Sequence, residues 1–144
     1  MADHSKDTGL LRCIVVTPET TVVDAPADFV TVTLIDGEYG VAPQHAPMIG
    51  RLGYGELRIR SGSKTDRYYA DGGFVQVLGN VVSVLTNRAV PAASLNSAAA
   101  VEQLSAALGR RAAGDEIAIR DRLVSQARGQ LRVAGAGAGT TAAH

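Results

Sequence analysis

Three histidines, one cysteine and the lysines at positions 6 and 64 set the narrow chemical repertoire of this chain. His4, His45 and His144 are scattered, and their spacing matches no metal-ligand pattern. A phosphate loop requires Gly-x-x-x-x-Gly-Lys-Ser/Thr, and neither Lys6 nor Lys64 stands in one. Cys13 and His45 would supply the two halves of a nucleophile pair. Cys13, however, lies in the apolar run LLRCIVV, where a thiol serves as a small core hydrophobe. Asp36 and Glu38 flank Gly37, and turn chemistry explains them better than acid–base catalysis. Neither a catalytic constellation nor a metal site is therefore expected.

What stands out instead is one segment, GEYGVAPQHAPM from Gly37 to Met48, read as a loop that follows a strand and holds two Gly, two Pro and a His. Its prolines fix φ and would make such a loop rigid. The elements that must position it follow from period-2 alternation. Val30, Val32 and Leu34 alternate with Thr31 and Thr33, while Leu57 and Ile59 alternate with Glu56, Arg58 and Arg60. Strands with one buried face have this pattern. Turn signals separate them at Pro18-Glu19, Asp36-Gly37, Ser61-Gly62-Ser63, Gly72-Gly73 and Gly79-Asn80. A two-residue Gly-Asn loop suits the primed hairpin turns. The fold expected for residues 10–90 is an all-β sandwich of about ten antiparallel strands.

Past Pro91 the composition shifts to Ala, Leu, Gln and Arg, and residues 91–134 read as an antiparallel two-helix hairpin. Leu95, Val101, Leu104 and Leu108 give the first helix a thin apolar stripe, with Ser94 as its expected N-cap. Asp115 is expected to cap a second helix opening at Glu116. Ile117, Ile119, Leu123, Val124, Ala127 and Leu131 share one arc of that helix. Gly129 inside it costs about 1 kcal/mol relative to Ala. Such a hairpin has little stability of its own and must dock, either permanently on the sandwich or as an arm with two positions. Residues 1–9 and the low-complexity tail 135–144 are expected to be disordered.

Composition bounds the function further. Hydrophobic residues make up 46% of the 144, aromatics only 4%, and Trp is absent, so the core must come from Val, Leu, Ile and Ala. The 14 basic and 14 acidic residues cancel, which argues against nucleic-acid binding through overall charge. The longest uncharged run, Gly72 to Asn87, is interrupted by polar residues and falls short of the roughly 20 apolar residues of a spanning helix. The polar N-terminus lacks a secretory signal, and a lone cysteine fits a reducing compartment. A stand-alone β-sandwich binding module would usually carry a stripe of exposed aromatics, which this chain lacks.

The segment GEYGVAPQHAPMIGRLGYGEL resembles the signature of the epsilon subunit family of rotary ATP synthases. Asp71-Gly72-Gly73-Phe74-Val75-Gln76-Val77, Asn80-Val81-Val82-Ser83-Val84-Leu85 and Gln130-Leu131-Arg132-Val133 match further blocks of that family in order, over about residues 10–133. The resemblance implies a non-catalytic rotor and regulatory subunit. Its sandwich would join the gamma subunit to the ring of membrane c subunits, helping to couple proton flow to ATP synthesis. Its hairpin would fold on the sandwich or extend into the catalytic head of alpha and beta subunits and inhibit ATP hydrolysis. By the same resemblance, Glu38, Pro43 and His45 would contact the c ring and stalk, with Pro47 beside them. Arg122, Arg128 and Arg132 would meet an acidic segment of the catalytic beta subunit. Between Arg110 and Arg132 six Arg oppose Asp115, Glu116 and Asp121, a net +3. Some bacterial members bind ATP through Ile/Leu-Asp-x-x-Arg-Ala; here Leu95 and Ala100 remain, but Asn96 replaces the acid and Ala99 the arginine. ATP binding is thus expected to be weak or absent, with no other cofactor. The implied location is peripheral, on the cytoplasmic face of a bacterial inner membrane, with the stromal face of a thylakoid as the alternative.

Overall fold

The computed structural model describes residues 10–109 and 114–142. Its strands are β1 (Leu11–Val16), β2 (Thr21–Ala27), β3 (Phe29–Leu34), β4 (Gly37–Val41), β5 (Met48–Ser61), β6 (Lys64–Leu78), β7 (Val81–Leu85) and β8 (Ala89–Pro91). They hydrogen-bond in the order β2-β1-β7-β6-β5-β3-β4, with β8 on β6. The inward side chains follow the alternation: Leu11, Cys13 and Val15, then Val75 and Val77, then Val82 and Val84 are fully or almost fully buried in one core. Without Trp, the largest fully buried side chain is Tyr69.

The sandwich differs from the expected ten antiparallel strands in two respects. Strands β5 and β6 each contain two of the expected segments. Their shared ladder runs from Met48↔Val77 to Ser61↔Lys64 and skips only Gly53 and Gly72, so eight strands remain. Strand β1 also runs parallel to β7, from Arg12↔Val81 to Val16↔Leu85. A parallel pair needs a long crossover, which the intervening strands supply. Alternation is the same in both orientations, so it could not distinguish them. The segment expected as one loop from Gly37 to Met48 is likewise split, because Gly37–Val41 pairs with β3 as β4. Only residues 42–47 connect strands. At Gly79-Asn80, φ values of 58° and 64° give the expected primed turn.

A 3-10 turn (Ala92–Ser94) leads to α1 (Ser97–Gly109), and α2 spans Asp115–Ala142. Asn96, not the expected Ser94, caps α1: its Oδ1 accepts the Ala99 amide at 3.0 Å. Ser94 belongs to the preceding turn. The second helix opens at Asp115, one residue early, and passes the boundary expected at 134. No proline stops it, and propagation adds one hydrogen bond per residue ordered. Through Ala142 the backbone is thus helical where a disordered tail was expected. Residues 1–9, 110–113 and 143–144, including His4, Arg110, Arg111 and His144, lie outside the described residues.

The apolar arc of α2 is only partly used. Val124 and Ala127 are buried, but Ile117 and Ile119 are 46% and 41% exposed because they lie in the opening turns, away from the sheet. Gly129 marks the closest approach. A Cβ there would stand 2.5 Å from the Tyr54 carbonyl oxygen, so the helix rests directly on the backbone of β5.

Candidate functional site

At one end of the sandwich, the 42–47 connection is fixed by short polar contacts. Asn80 Oδ1 accepts the Gln44 amide at 2.7 Å, while the Asn80 carbonyl accepts the Arg12 amide at 2.8 Å. One hairpin residue therefore ties the connection to β1. The Nδ1 of His45 faces its neighbour's carbonyl, Ala46 O, at 2.7 Å, so it must carry the proton. In the neutral ring Nε2 then accepts from the Tyr39 hydroxyl at 2.7 Å, and the two rings meet edge-on. Pro43 is half-buried in the same connection.

Glu38 is not in that connection. It sits on β4 beside the Gly37 turn, on the opposite side of the strand from Tyr39. Its carboxylate lies 3.4 Å from Arg58 and is 57% exposed. Arg58 and Arg67 are both held by the far less exposed Glu56. The structure thus brings Pro43 and His45 together and leaves Glu38 as a separate exposed acid.

Polar groups and small residues dock the hairpin. Asp71, buried on β6, accepts from the Tyr69 hydroxyl at 3.1 Å and from Gln126 Nε2 of α2 at 3.1 Å. Burial, then the adjacent Asp71, raise the Tyr69 pKa, which keeps this phenol a donor. Gln103 of α1 donates to the Leu123 carbonyl of α2 at 2.9 Å and reaches Gln126 at 3.5 Å. Arg67 donates to the Val133 carbonyl at 2.7 Å, and Arg132 to the Tyr54 carbonyl at 3.2 Å. The fully buried apolar side chains of the helices are modest, chiefly Ala100, Ala107, Ala127 and Val133. Such a seam is specific in geometry and buries few large apolar side chains.

Of the basic residues singled out in sequence, Arg128 and Arg132 stand one turn apart and line the same groove. Arg122 does not line it. In the ATP-motif segment, Asn96 is occupied as a cap, Ala100 is buried, and Ala99 is exposed. Cys13 is fully buried, and that burial pushes its pKa to about 12, which removes the thiolate chemistry weighed for it.

The outward face of β5, β6 and β7 carries a patch that sequence reading missed. Ile49 is 75% exposed, Phe74 and Leu78 are each 55%, and Leu85 is 52%. Phe74 pairs with Leu85, and Ile49 pairs with Gln76 midway between Phe74 and Leu78, so the four share one surface. Their alternation with the core residues was the available signal, but it does not tell a solvated face from a covered one. Monomeric proteins rarely expose large contiguous apolar patches. Among the described residues, no three His, Cys, Asp or Glu side chains group as metal ligands, and no helix is long and apolar enough to cross a membrane.

Comparison with known proteins decides which family uses this architecture. The model of the beta-sandwich domain of the ATP synthase delta/epsilon chain matches residues 10–92. The ATP synthase epsilon chain of Rhodopirellula baltica is 51% identical over 123 residues, covering 85% of this chain and 96% of that protein. The chain belongs to the ATP synthase epsilon chain family. Its members from Rubrobacter xylanophilus and Symbiobacterium thermophilum are 36% and 37% identical; the alignments cover 78% and 85% of this chain and 86% and 91% of theirs. The fold agrees with a chain of the Euglena gracilis mitochondrial ATP synthase, in a structure of OSCP, F1 and c ring, at a TM-score of 0.69 and 24% identity. That match covers 85% of this chain and 76% of the other. A chain from the central stalk and c ring of the Tetrahymena thermophila mitochondrial enzyme gives a TM-score of 0.68 at 12% identity, covering 86% and 96%. As a family member, this protein is a non-catalytic ATP synthase subunit.

Proposed function

We propose that this epsilon chain works in the central stalk, with its sandwich joining the gamma subunit to the c ring. Its hairpin leaves the sandwich to restrain ATP hydrolysis in the catalytic head. The hairpin seam is the observation that carries this: it is held by the Asp71–Gln126–Gln103 network and a glycine contact, with few large apolar side chains. Water can replace those hydrogen bonds when the arm leaves, so undocking costs less than exposing a large apolar core. The apolar patch of Ile49, Phe74, Leu78 and Leu85 is then the surface that gamma covers. Exposed Glu38 and the pinned Pro43–His45 connection face the polar loops of the c ring. Once released, Arg122, Arg128 and Arg132 pair with carboxylates of the catalytic beta subunit. Such a subunit resides at the cytoplasmic face of a bacterial inner membrane.

Deleting residues 92–144 tests the arm directly. In the assembled enzyme, latent ATP hydrolysis is expected to rise several-fold while assembly and ATP synthesis persist. Unchanged hydrolysis would make the hairpin a purely structural element and sink the reading.

Hairpin position in this reading is set by partner contacts and the proton-motive force, not by ATP at the opening of α1. Support comes from Asn96, engaged as a helix cap, and from Ala99, which brings no cation to face phosphates. Millimolar ATP is expected to leave the amides of residues 95–100 unshifted in an NMR titration. Saturable shifts there would overturn this.

A further inference from the structure

Arg51 of β5 and Arg128 and Arg132 of α2 line one groove of about 990 Å³ between the sandwich and the second helix; it shares Phe74 and Leu85 with the apolar patch, so it is open in the free chain and gamma would compete for that edge of it. None of the residues lining it is Asp or Glu. This imbalance contrasts with the rest of the sandwich. Elsewhere in the sandwich, Arg12 pairs with Asp24, Arg58 with Glu38 and Glu56, and Arg67 with Glu56. Arg60 and Arg88 lie over the rings of Phe29 and Tyr69. Arg51 has no such partner among the described residues, and neither does Arg128. Arg132 is positioned at the groove wall by its bond to the Tyr54 carbonyl, with donors left over.

We propose that this groove is a binding site for a multivalent oxyanion of the phosphate and polyphosphate class, complete only while the hairpin lies on the sandwich. The guanidinium fork matches phosphate oxygens in pairs, and three cations drawn from two elements call for more than one negative charge. Ser125 adds a hydroxyl to the wall. Without the anion, docking gathers like charges. With it, the same charges become a clamp across the seam. The coupling to hairpin position rests on the movable arm proposed above. An anion that binds only the docked form, at about one hundred times its dissociation constant, raises the docked-to-undocked ratio about one hundredfold. The groove is distinct from the segment 95–100 at the opening of α1, none of whose residues lines it.

The test is an NMR titration of the full chain with pyrophosphate at fixed ionic strength, with phosphate and ATP as parallel arms. Saturable shifts are expected at residues 51–54, 72–74 and 125–132. They should weaken at least tenfold in Arg51→Gln and in Arg128→Gln, both exposed positions whose variants should keep the parent sheet spectrum. Similar affinity for pyrophosphate and ATP, with shifts in the groove, would assign recognition to the phosphates; tighter binding of ATP in the groove would assign it to a nucleotide polyphosphate. Binding of ATP alone with shifts at residues 95–100 would overturn the proposal. So would shifts scattered over all exposed arginines, undiminished affinity in Arg51→Gln, or no saturation at millimolar pyrophosphate. The two readings fail separately. Saturable binding with no rise in hydrolysis after hairpin deletion sinks only the movable arm; a rise in hydrolysis without saturable binding sinks only the anion site.

Discussion

Gly129→Ala is expected to lift the second helix off the sandwich and leave it with only the marginal stability of an isolated helix. Alanine favours a helix over glycine by about 1 kcal/mol, so the intrinsic effect on α2 is stabilising. The docked seam has no room for the added methyl, however. A Cβ at position 129 would stand 2.5 Å from the Tyr54 carbonyl oxygen and 2.9 Å from its carbon. Both atoms are backbone in the long β5–β6 ladder and cannot swing aside. Overpacking of this kind costs about 1–3 kcal/mol, which shifts a docking equilibrium by roughly 5–150-fold. Hydrogen exchange should show the α2 amides around Val124 to Val133 losing protection while the β-sheet amides keep theirs. In the assembled enzyme, latent hydrolysis should fall, because the arm is released toward the catalytic head. The matched control is Gly109→Ala, where a Cβ meets nothing within 4 Å. Retained protection in Gly129→Ala would show that the seam yields without undocking.

Gly73→Ala is expected to have the largest effect on the sandwich itself. Gly73 has φ of 111°, and a Cβ there would lie 1.9 Å from the Leu85 carbonyl oxygen. Relief would require separating β6 from β7 where Phe74 pairs with Leu85. A backbone clash combined with a disfavoured φ belongs among the rare substitutions costing more than about 4 kcal/mol. With a urea m-value of about 1–3 kcal/mol per molar, the unfolding midpoint should drop by more than about 1 M. Gly72→Ala is the informative comparison. Its φ of 72° is also positive, but the added Cβ would meet Tyr54 at an ordinary 3.4 Å. Its cost should be confined to backbone strain, about 1–2 kcal/mol. Equal midpoints for the two variants would refute the clash at Leu85.

Much of the site was legible because its signals are local. A Gly-Asn pair between alternating runs specifies its turn without help from the rest of the chain, and Gly79 and Asn80 both have positive φ. The signature around His45 could likewise be recognised from residue order alone. What failed were inferences needing a partner far along the chain. Ile117 and Ile119 share the arc of Val124, but their burial depends on how far the sheet extends beneath the helix. The cap of α1 failed for a local reason instead: Ser94 and Asn96 are both capping types, and the three-residue 3-10 turn that takes up Ser94 decided between them.

By itself, the sequence determined the strand-forming alternation, the shift to helix past Pro91, a core without Trp and the resemblance that named the family. Each depends on neighbours a few residues apart or on a contiguous block. Tertiary structure alone decided that β1 lies parallel to β7, that Asp71 meets Gln126, and that Gly129 rests on Tyr54. It also placed Arg51 in one groove with Arg128 and Arg132. The physical reason is the same in each case. Side-chain periodicity fixes which face of an element is apolar, but not which distant element covers it or what charge that element brings.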